Sequence, residues 1–322
     1  MNVINPIRGM KDIFGVDWDK YQFIINKAIK IANKYGYQVI ETPIVEATEV
    51  FQRSIGDETD VVSKEMYTFL DKGNESITLR PEGTASVIRA IVTNNILVSP
   101  NLPVKLMYFG PMFRYDRPQK GRYRQFHQLG FEQIGAKSPY TDAITIALSY
   151  EILTNIGLLD SKIYINTLGD IESRNNYIKA LVKYFSRYED KLSDDSKVRL
   201  QKNPLRILDS KDITDRELCF MAPNISDYLS NTDIKYFECV CKLLSKYGIP
   251  FEIDNLLVRG LDYYSQTTFE IKSNSTEFTD SIAVVVSEQT GNISVCKNGV
   301  MTRDLTSSSL RQLLNESLTK DL

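Results

Sequence analysis

Residues 113–135 read FRYDRPQKGRYRQFHQLGFEQIG. Phe113 and Arg114 end one strand, a polar basic turn follows, and a return strand runs over about residues 125–134. Cations crowd the turn: Arg114, Arg117, Lys120, Arg122 and Arg124 stand against Asp116 alone. Guanidinium groups match phosphate oxygens bidentately, and an aromatic face such as Phe126 can stack a base. A solvated basic hairpin has the same composition, so the stretch by itself leaves both uses open. Along the return strand, side chains alternate between faces. Gln128, Gly130 and Glu132 therefore share the face of Phe126, while His127, Leu129 and Phe131 share the other. A Gln and a carboxylate on one face suit either a pocket floor for a cation, such as an α-amino group, or an exposed polar sheet face. His127, the single histidine, falls on the apolar face and reads as a packed, hydrogen-bonded side chain rather than a catalyst.

Elements on either side extend the pattern. Upstream, residues 105–110 supply the partner strand and residues 83–97 (GTASVIRAIVTNNIL) a helix. A first helix spans residues 17–35, where Tyr21, Ile24, Ala28, Ile31, Ala32 and Tyr35 recur at helical spacing before Gly36. The strand at 37–42 stops at Pro43, which cannot donate to a ladder. Downstream come a helix over 141–156, capped by Thr141 or Asp142, and a strand over 161–168. Residues 172–247 are charged helical segments broken near Asn203-Pro204 and Ala222-Pro223. Strand character resumes at 256–258, with 264–271 as its hairpin partner. Two apolar strands (281–287 and 293–296) and a helix (308–318) close the chain. The class is α+β with mostly antiparallel strands.

Composition narrows the function without choosing it. The chain of 322 residues, 42% hydrophobic and 25% charged with 18 Tyr and 14 Phe, can bury a large core. A net charge of −2 gives no global attraction to nucleic acid and leaves local basic patches as the only electrostatic route. Cys219, Cys239, Cys241 and Cys296 form no Cys-x-x-Cys, so a zinc site is not expected and free thiols in a reducing cytoplasm are. The opening MNVINPIRGMKDIFG has no apolar signal, so a cytoplasmic location away from membranes is expected. Neither G-x-x-x-x-G-K-[ST] nor G-x-G-x-x-G after a strand occurs. Any nucleotide must be held by side-chain cations and aromatics. A second candidate is Arg259-Gly260-Leu261-Asp262-Tyr263-Tyr264, which could bring a cation and two phenols over one cavity, or form a tyrosine-rich turn.

These pieces together resemble histidyl-tRNA synthetase, a class II aminoacyl-tRNA synthetase. Arg8-Gly9-Met10-Lys11-Asp12 resembles the family's opening segment. The first helix with Ile40-Glu41-Thr42-Pro43 resembles motif 1, the family's dimerisation element. Residues 113–135 resemble motif 2 along their whole length, and LVRGLDYYS (257–265) resembles a signature of the histidine-specific members. The resemblance runs from about residue 6 to 272. It implies a class II antiparallel sheet flanked by helices, with catalytic core at 1–170 and 251–275 and a helical insertion at 171–250. Residues 279–322 resemble the end of the anticodon-binding domain.

The family's roles then fall on matching positions. Glu82, Gly83 and Thr84 of TLRPEGTA border the histidine pocket, with Glu82 at the α-ammonium and Gln128 and Glu132 completing its floor. Tyr263 and Tyr264 recognise the imidazole. Arg114 holds the α-phosphate and the amino-acid carboxylate, Arg122 the outer phosphates, and Phe126 stacks on adenine. Asp116 stands where the family commonly has a Glu that meets the adenine. Arg259 stabilises charge at the α-phosphate during attack, so Arg259 and Arg114 are the catalytic pair. No resident metal is implied; Mg²⁺ enters with ATP.

One departure is large. Motif 3, a glycine-rich strand and helix with an ATP-clamping Arg, has no counterpart: beyond Gly260 the glycines are Gly291 and Gly299, and the arginines Arg303 and Arg311. The chain reads as if a block had been removed between about Ser273 and Thr279. The resemblance implies a homodimeric histidine–tRNA ligase acting on histidine, ATP and tRNA(His). The alternatives are a histidine-sensing regulatory subunit of ATP phosphoribosyltransferase, or an inactive shortened remnant.

Overall fold

The computed structural model describes residues 4–55, 61–98, 103–117, 123–258, 266–273, 282–285, 295–297 and 300–302. In chain order these form α1 (Val16–Lys34), β1 (Gln38–Val39), β2 (Val45–Ala47), α2 (Thr48–Ile55), β3 (Tyr67–Leu70), β4 (Ser76–Leu79) and α3 (Thr84–Thr93). The hairpin β5 (Val104–Phe113) and β6 (Gln125–Ile134) follows, then α4 (Pro139–Asn155) and β7 (Ser161–Thr167). Helices α5 (Ile171–Phe185), α6 (Asp194–Lys202), α7 (Ile213–Phe220) and α8 (Asn231–Lys246) come next. They lead to β8 (Phe251–Ile253), β9 (Thr267–Ser273), β10 (Ile282–Val285), β11 (Val295–Lys297) and β12 (Val300–Thr302). Among the described residues, no helix is long and apolar enough to cross a membrane.

The chain separates into two compact units: Met1–Ala136, Leu148–Ser161 and Ile271–Leu322 form one, and Lys137–Ala147 with Lys162–Glu270 form the other. In the first, β5 and β6 pair antiparallel over their full length, Val104 opposite Ile134 and Phe113 opposite Gln125. One face of this hairpin presents Met107 and Phe131 to Ala28, Ile31 and Ala32 of α1 and to Leu148 and Ile152 of α4. The opposite face presents Leu106, Tyr108, Met112 and Phe126 to Val87 and Ile91 of α3. Helix α1 stops where the sequence says it should. Gly36 has φ +79°, and the Tyr37 N–H reaches back to the Ala32 carbonyl at 3.0 Å, a Schellman closure that only a residue tolerant of positive φ makes cheaply.

Four expectations need correction. The hairpin expected between 256–258 and 264–271 does not form: residues 267–271 lie in β9, beside β7, which separates it from β8. The strand expected at 37–42 pairs only through Gln38 and Val39, and it runs parallel to β5. Helix α4 begins at Pro139, so Thr141 and Asp142 lie inside its first turn. Ser138 caps it instead: its Oγ accepts from the Tyr140 N–H at 3.2 Å, and proline at a first helical position has no N–H to satisfy. The strand expected at 256–258 lies earlier, as β8, parallel to β7 with Ile163 opposite Phe251. Asp254 ends it, because its side chain accepts from the Leu256 N–H at 3.0 Å and folds the chain into a turn.

In the second unit, β7 lies between β8 and β9. Tyr177, Leu181 and Phe185 of α5 meet Leu200, Leu205, Ile207, Cys219 and Ile225 in a separate core. The closing helix expected at 308–318 lies outside the described residues.

Candidate active site

On the β5–β6 face that looks toward α3, Tyr108 sits opposite Gly130 in the register. A Cβ on Gly130 would come within 2.1 Å of the Tyr108 ring, and one on Gly83 would do the same. Both glycines are therefore required for the ring to lie flat between strand and helix start. Gly83 precedes α3, and its N–H donates to Gln128 Oε1 at 3.1 Å. Glu82 turns back over the helix opening, accepting from the N–H groups of Thr84 at 2.6 Å and Ala85 at 2.7 Å. A carboxylate there satisfies two of the orphan donors of a helix N-terminus and meets its positive dipole end. The Thr84 hydroxyl then donates to Glu132 Oε1 at 2.7 Å. Glu82, Thr84, Gln128 and Glu132 thus form one connected polar floor, each no more than 3% exposed.

The electrostatics of this floor are unfinished. Burial pushes the Glu132 carboxyl well above the usual range; the Thr84 hydroxyl opposes this, and the Glu82 charge adds to it. Its second oxygen has no hydrogen-bond partner among the described residues. Burial also raises Glu82, against the Ala85 and Thr84 N–H groups and Arg114. Tyr108 is raised well above its ordinary value by burial and then by Glu132 and Glu82, and its hydroxyl makes no well-formed hydrogen bond among the described residues. Glu132, with a single hydroxyl donor inside a buried floor, is the group poised for a cation.

Arg114 borders this floor. It is 3% exposed, its Nε donates to the Pro81 carbonyl at 2.8 Å, and its guanidinium lies 5.2 Å from the Phe126 ring centre. Phe126 itself is 2% exposed, in the cluster with Met112. Asp116 accepts from the Arg117 N–H at 2.7 Å. Arg124 lies over the Tyr115 ring at 3.8 Å, and its N–H donates to the Gly9 carbonyl at 2.8 Å. Gly9, at φ +84°, has Arg124 so close that a Cβ would meet it at 2.9 Å. The opening Arg8-Gly9 segment therefore clasps the base of the basic hairpin. On the opposite sheet face His127 packs against Tyr21 and Phe109, and burial lowers its pKa to about 4.

The geometry unites Glu82, Gly83, Thr84, Gln128 and Glu132, with Arg114 beside them. The family model described as histidyl-tRNA synthetase matches residues 9–173, which contain this whole arrangement. The chain belongs to the histidyl-tRNA synthetase family. It is 51% identical over 271 residues to the histidine–tRNA ligase of Geobacillus sp. strain WCH70, covering 84% of this chain and 64% of that protein. It is 50% identical over 273 residues to that of Ligilactobacillus salivarius, at 84% and 63%. The solved structure of apo S. aureus histidyl-tRNA synthetase superposes with a TM-score of 0.70 at 38% identity, over 88% of this chain and 65% of that one. The chain thus spans 64% of the length of the Geobacillus relative it matches, in keeping with the block expected to be missing near Ser273.

Arg122, Arg259, Tyr263 and Tyr264 lie outside the described residues. Two members of the site were missed from the sequence. Tyr108 was hidden in an apolar strand, and the signal for it was Gly130, whose opposite number needs the register to be known. Arg80 is 4% exposed and donates to the Thr42 carbonyl at 2.7 Å and the Pro111 carbonyl at 2.9 Å. Gly110 leaves room for it, since a Cβ there would fall 2.3 Å from the guanidinium. A buried Arg serving backbone carbonyls has no sequence signature beyond its charge.

Proposed function

We propose that the chain has histidine–tRNA ligase activity: it joins histidine to ATP as histidyl-adenylate and passes the histidyl group to tRNA(His). The observation that carries this reading is the connected Glu82–Thr84–Glu132–Gln128 floor beside Arg114. An amino acid is a zwitterion, and this arrangement offers carboxylates to its ammonium and a guanidinium to its carboxylate. The first step is an in-line attack of the histidine carboxylate on the α-phosphate, expelling pyrophosphate. Arg114 holds the two reacting groups together, so that positioning and charge stabilisation, rather than a covalent nucleophile, supply the rate.

The family resemblance adds the remaining roles. Arg259 balances charge at the α-phosphate, Arg122 takes the outer phosphates, Phe126 and Asp116 receive the adenine, and Tyr263 and Tyr264 read the imidazole. ATP arrives with Mg²⁺ on its phosphates. Helices α5–α8 form the insertion within a catalytic core of residues 1–170 and 251–275. The protein works as a homodimer in the cytoplasm, with α1 and the Pro43-terminated strand at an isologous interface.

Histidine-dependent pyrophosphate exchange tests the reading. Exchange by the unmutated chain is expected. Arg259→Ala should slow it by about 10²–10³, the cost of removing one donor at a developing charge, with histidine binding weakened far less. Histidine binding without exchange would overturn the ligase reading and leave a regulatory one.

A further inference from the structure

One edge of β5 changes partner where the site begins. β1 pairs with it at Leu106 and Met107, and the Ile40 N–H adds a bond to the Met107 carbonyl at 2.8 Å. Further along, Arg80 takes over. Its carbonyl accepts from the Phe113 N–H at 2.9 Å, and its Nε donates to the Pro111 carbonyl at 2.9 Å. Its own N–H reaches the other way, to the Ile44 carbonyl at 2.9 Å. Nη1 donates to the Thr42 carbonyl at 2.7 Å and to the Thr42 hydroxyl at 3.1 Å. One residue thus ties the turn around Pro43 to the end of β5, within the first unit.

The local sequence explains why an arginine does this. Pro43, Pro81 and Pro111 all meet at this corner and have no N–H to donate. Pro81 also keeps Arg80 extended, out of a helical turn. The guanidinium supplies the missing donors, and its planar fork serves two carbonyls in fixed directions, as the point charge of a lysine does not. Arg80 and Thr42 are both buried. Gly110 makes the room: beyond its adjoining residues, the Arg80 guanidinium is all that a Cβ at 110 would meet within 4 Å. The residues that follow carry the polar floor. The Pro81 carbonyl accepts from Arg114 Nε at 2.8 Å, Glu82 caps Thr84 and Ala85, and the Gly83 N–H holds Gln128. Arg114 is therefore secured twice, its backbone through Phe113 and its side chain through Pro81, and Arg80 adjoins or bonds both.

We propose that Arg80 is a positioning residue for histidine activation. It fixes residues 81–83 against the end of β5, so that the Glu82 carboxylate and the Arg114 guanidinium keep one spacing. This rests on the reading that Glu82 and Arg114 hold the two ends of the amino acid. Arg80 acts through Pro81 and Phe113, not by contact with substrate.

Three variants of the full chain, compared by pyrophosphate exchange and thermal unfolding, separate positioning from mere support. Gly110→Ala keeps every donor and displaces only the far end of the Arg80 side chain, so its melting midpoint should fall little. Its kcat should nevertheless drop between about 10- and 100-fold, the scale of a misplacement near 1 Å. KM for histidine should change much less, because Gln128 and Glu132 stand on β6. Arg80→Lys reaches fewer acceptors and should lose both stability and rate. Thr78→Val is the control, two residues earlier in β4. It breaks the hydroxyl contacts of Thr78 with Thr48 and Thr68, both at 2.9 Å, and should melt lower while keeping the parent's kcat. A parental kcat in Gly110→Ala, or a rate loss in Thr78→Val as large as that in Arg80→Lys, would make Arg80 structural only. No exchange by the parent would instead remove the reading on which the proposal stands, and the proposal with it.

Discussion

Two buried carboxylates, one in each unit, are supported in opposite ways. In the first, Glu132 has one hydroxyl donor on one oxygen and, among the described residues, none on the other. In the second, Asp215 is 0% exposed and receives the Ser193 N–H at 3.0 Å and the hydroxyls of Ser193, Ser196 and Ser210 at 2.6 Å each. Burial acts on both in the same direction, upward. Glu132 ends well above the usual carboxylate range, whereas the serines bring Asp215 below it. Donor count, not depth, decides the sign. A finished carboxylate holds a fold together. An unfinished one destabilises the fold when ionised, and either a proton or an incoming cation relieves it.

The largest effect should come from taking the finished one apart. Asp215→Ala strands three hydroxyls and an amide around a buried position, and at about 1–3 kcal/mol for each group left unpaired, partly relieved by hydroxyl rotation and by water reaching the half-buried Ser193, a loss of about 3 kcal/mol is expected by urea unfolding. A loss under about 1 kcal/mol would show that the serines re-pair among themselves and that the contrast is overdrawn.

A smaller effect is expected under the unfinished site. Gly130→Ala drives a methyl into the Tyr108 ring and should cost about 1–3 kcal/mol as overpacking, together with weaker histidine binding, since Gly83, whose N–H holds Gln128, packs on that ring. Unchanged binding would show the floor to be independent of Tyr108.

The smallest effect is on the acid side. Asp233, at about 2 in the fold against 3.8 ordinarily, contributes stability that is present above its ordinary value and lost as pH falls toward 2. Between pH 5 and 3 the parent's melting midpoint should drop more than that of Asp233→Asn. Equal drops would mean that the charge is not held by its hydrogen bonds.

Much of this was legible in advance, for reasons that differ by element. Alternation along β6 placed Gln128 and Glu132 on one face and His127 on the other, because a strand's period is rigid. Helix α1 was legible from its apolar recurrence and Gly36. The long-range connections were not. Thr84 reaches Glu132 across 48 positions and Asp233 reaches Gln266 across 33, and no local pattern encodes such pairings. The strand misplaced at 256–258 shows the same limit: Leu256-Leu257-Val258 is as apolar as β8, and only the turn made by Asp254 separates buried coil from strand.

Glu132→Gln tests the central claim most directly, because it separates the two meanings of a buried acid. A carboxyl raised in the fold destabilises progressively as pH climbs from its ordinary value through its folded one, and the penalty is complete above that. The amide mimics the neutral form. At pH 8 the unliganded variant should therefore melt higher than the parent, the two should converge near pH 4, and the thermal shift produced by histidine should largely vanish. A variant that melts lower at pH 8 and keeps its histidine shift would mean that Glu132 is a structural acid like Asp215, and that the floor is not a cation site.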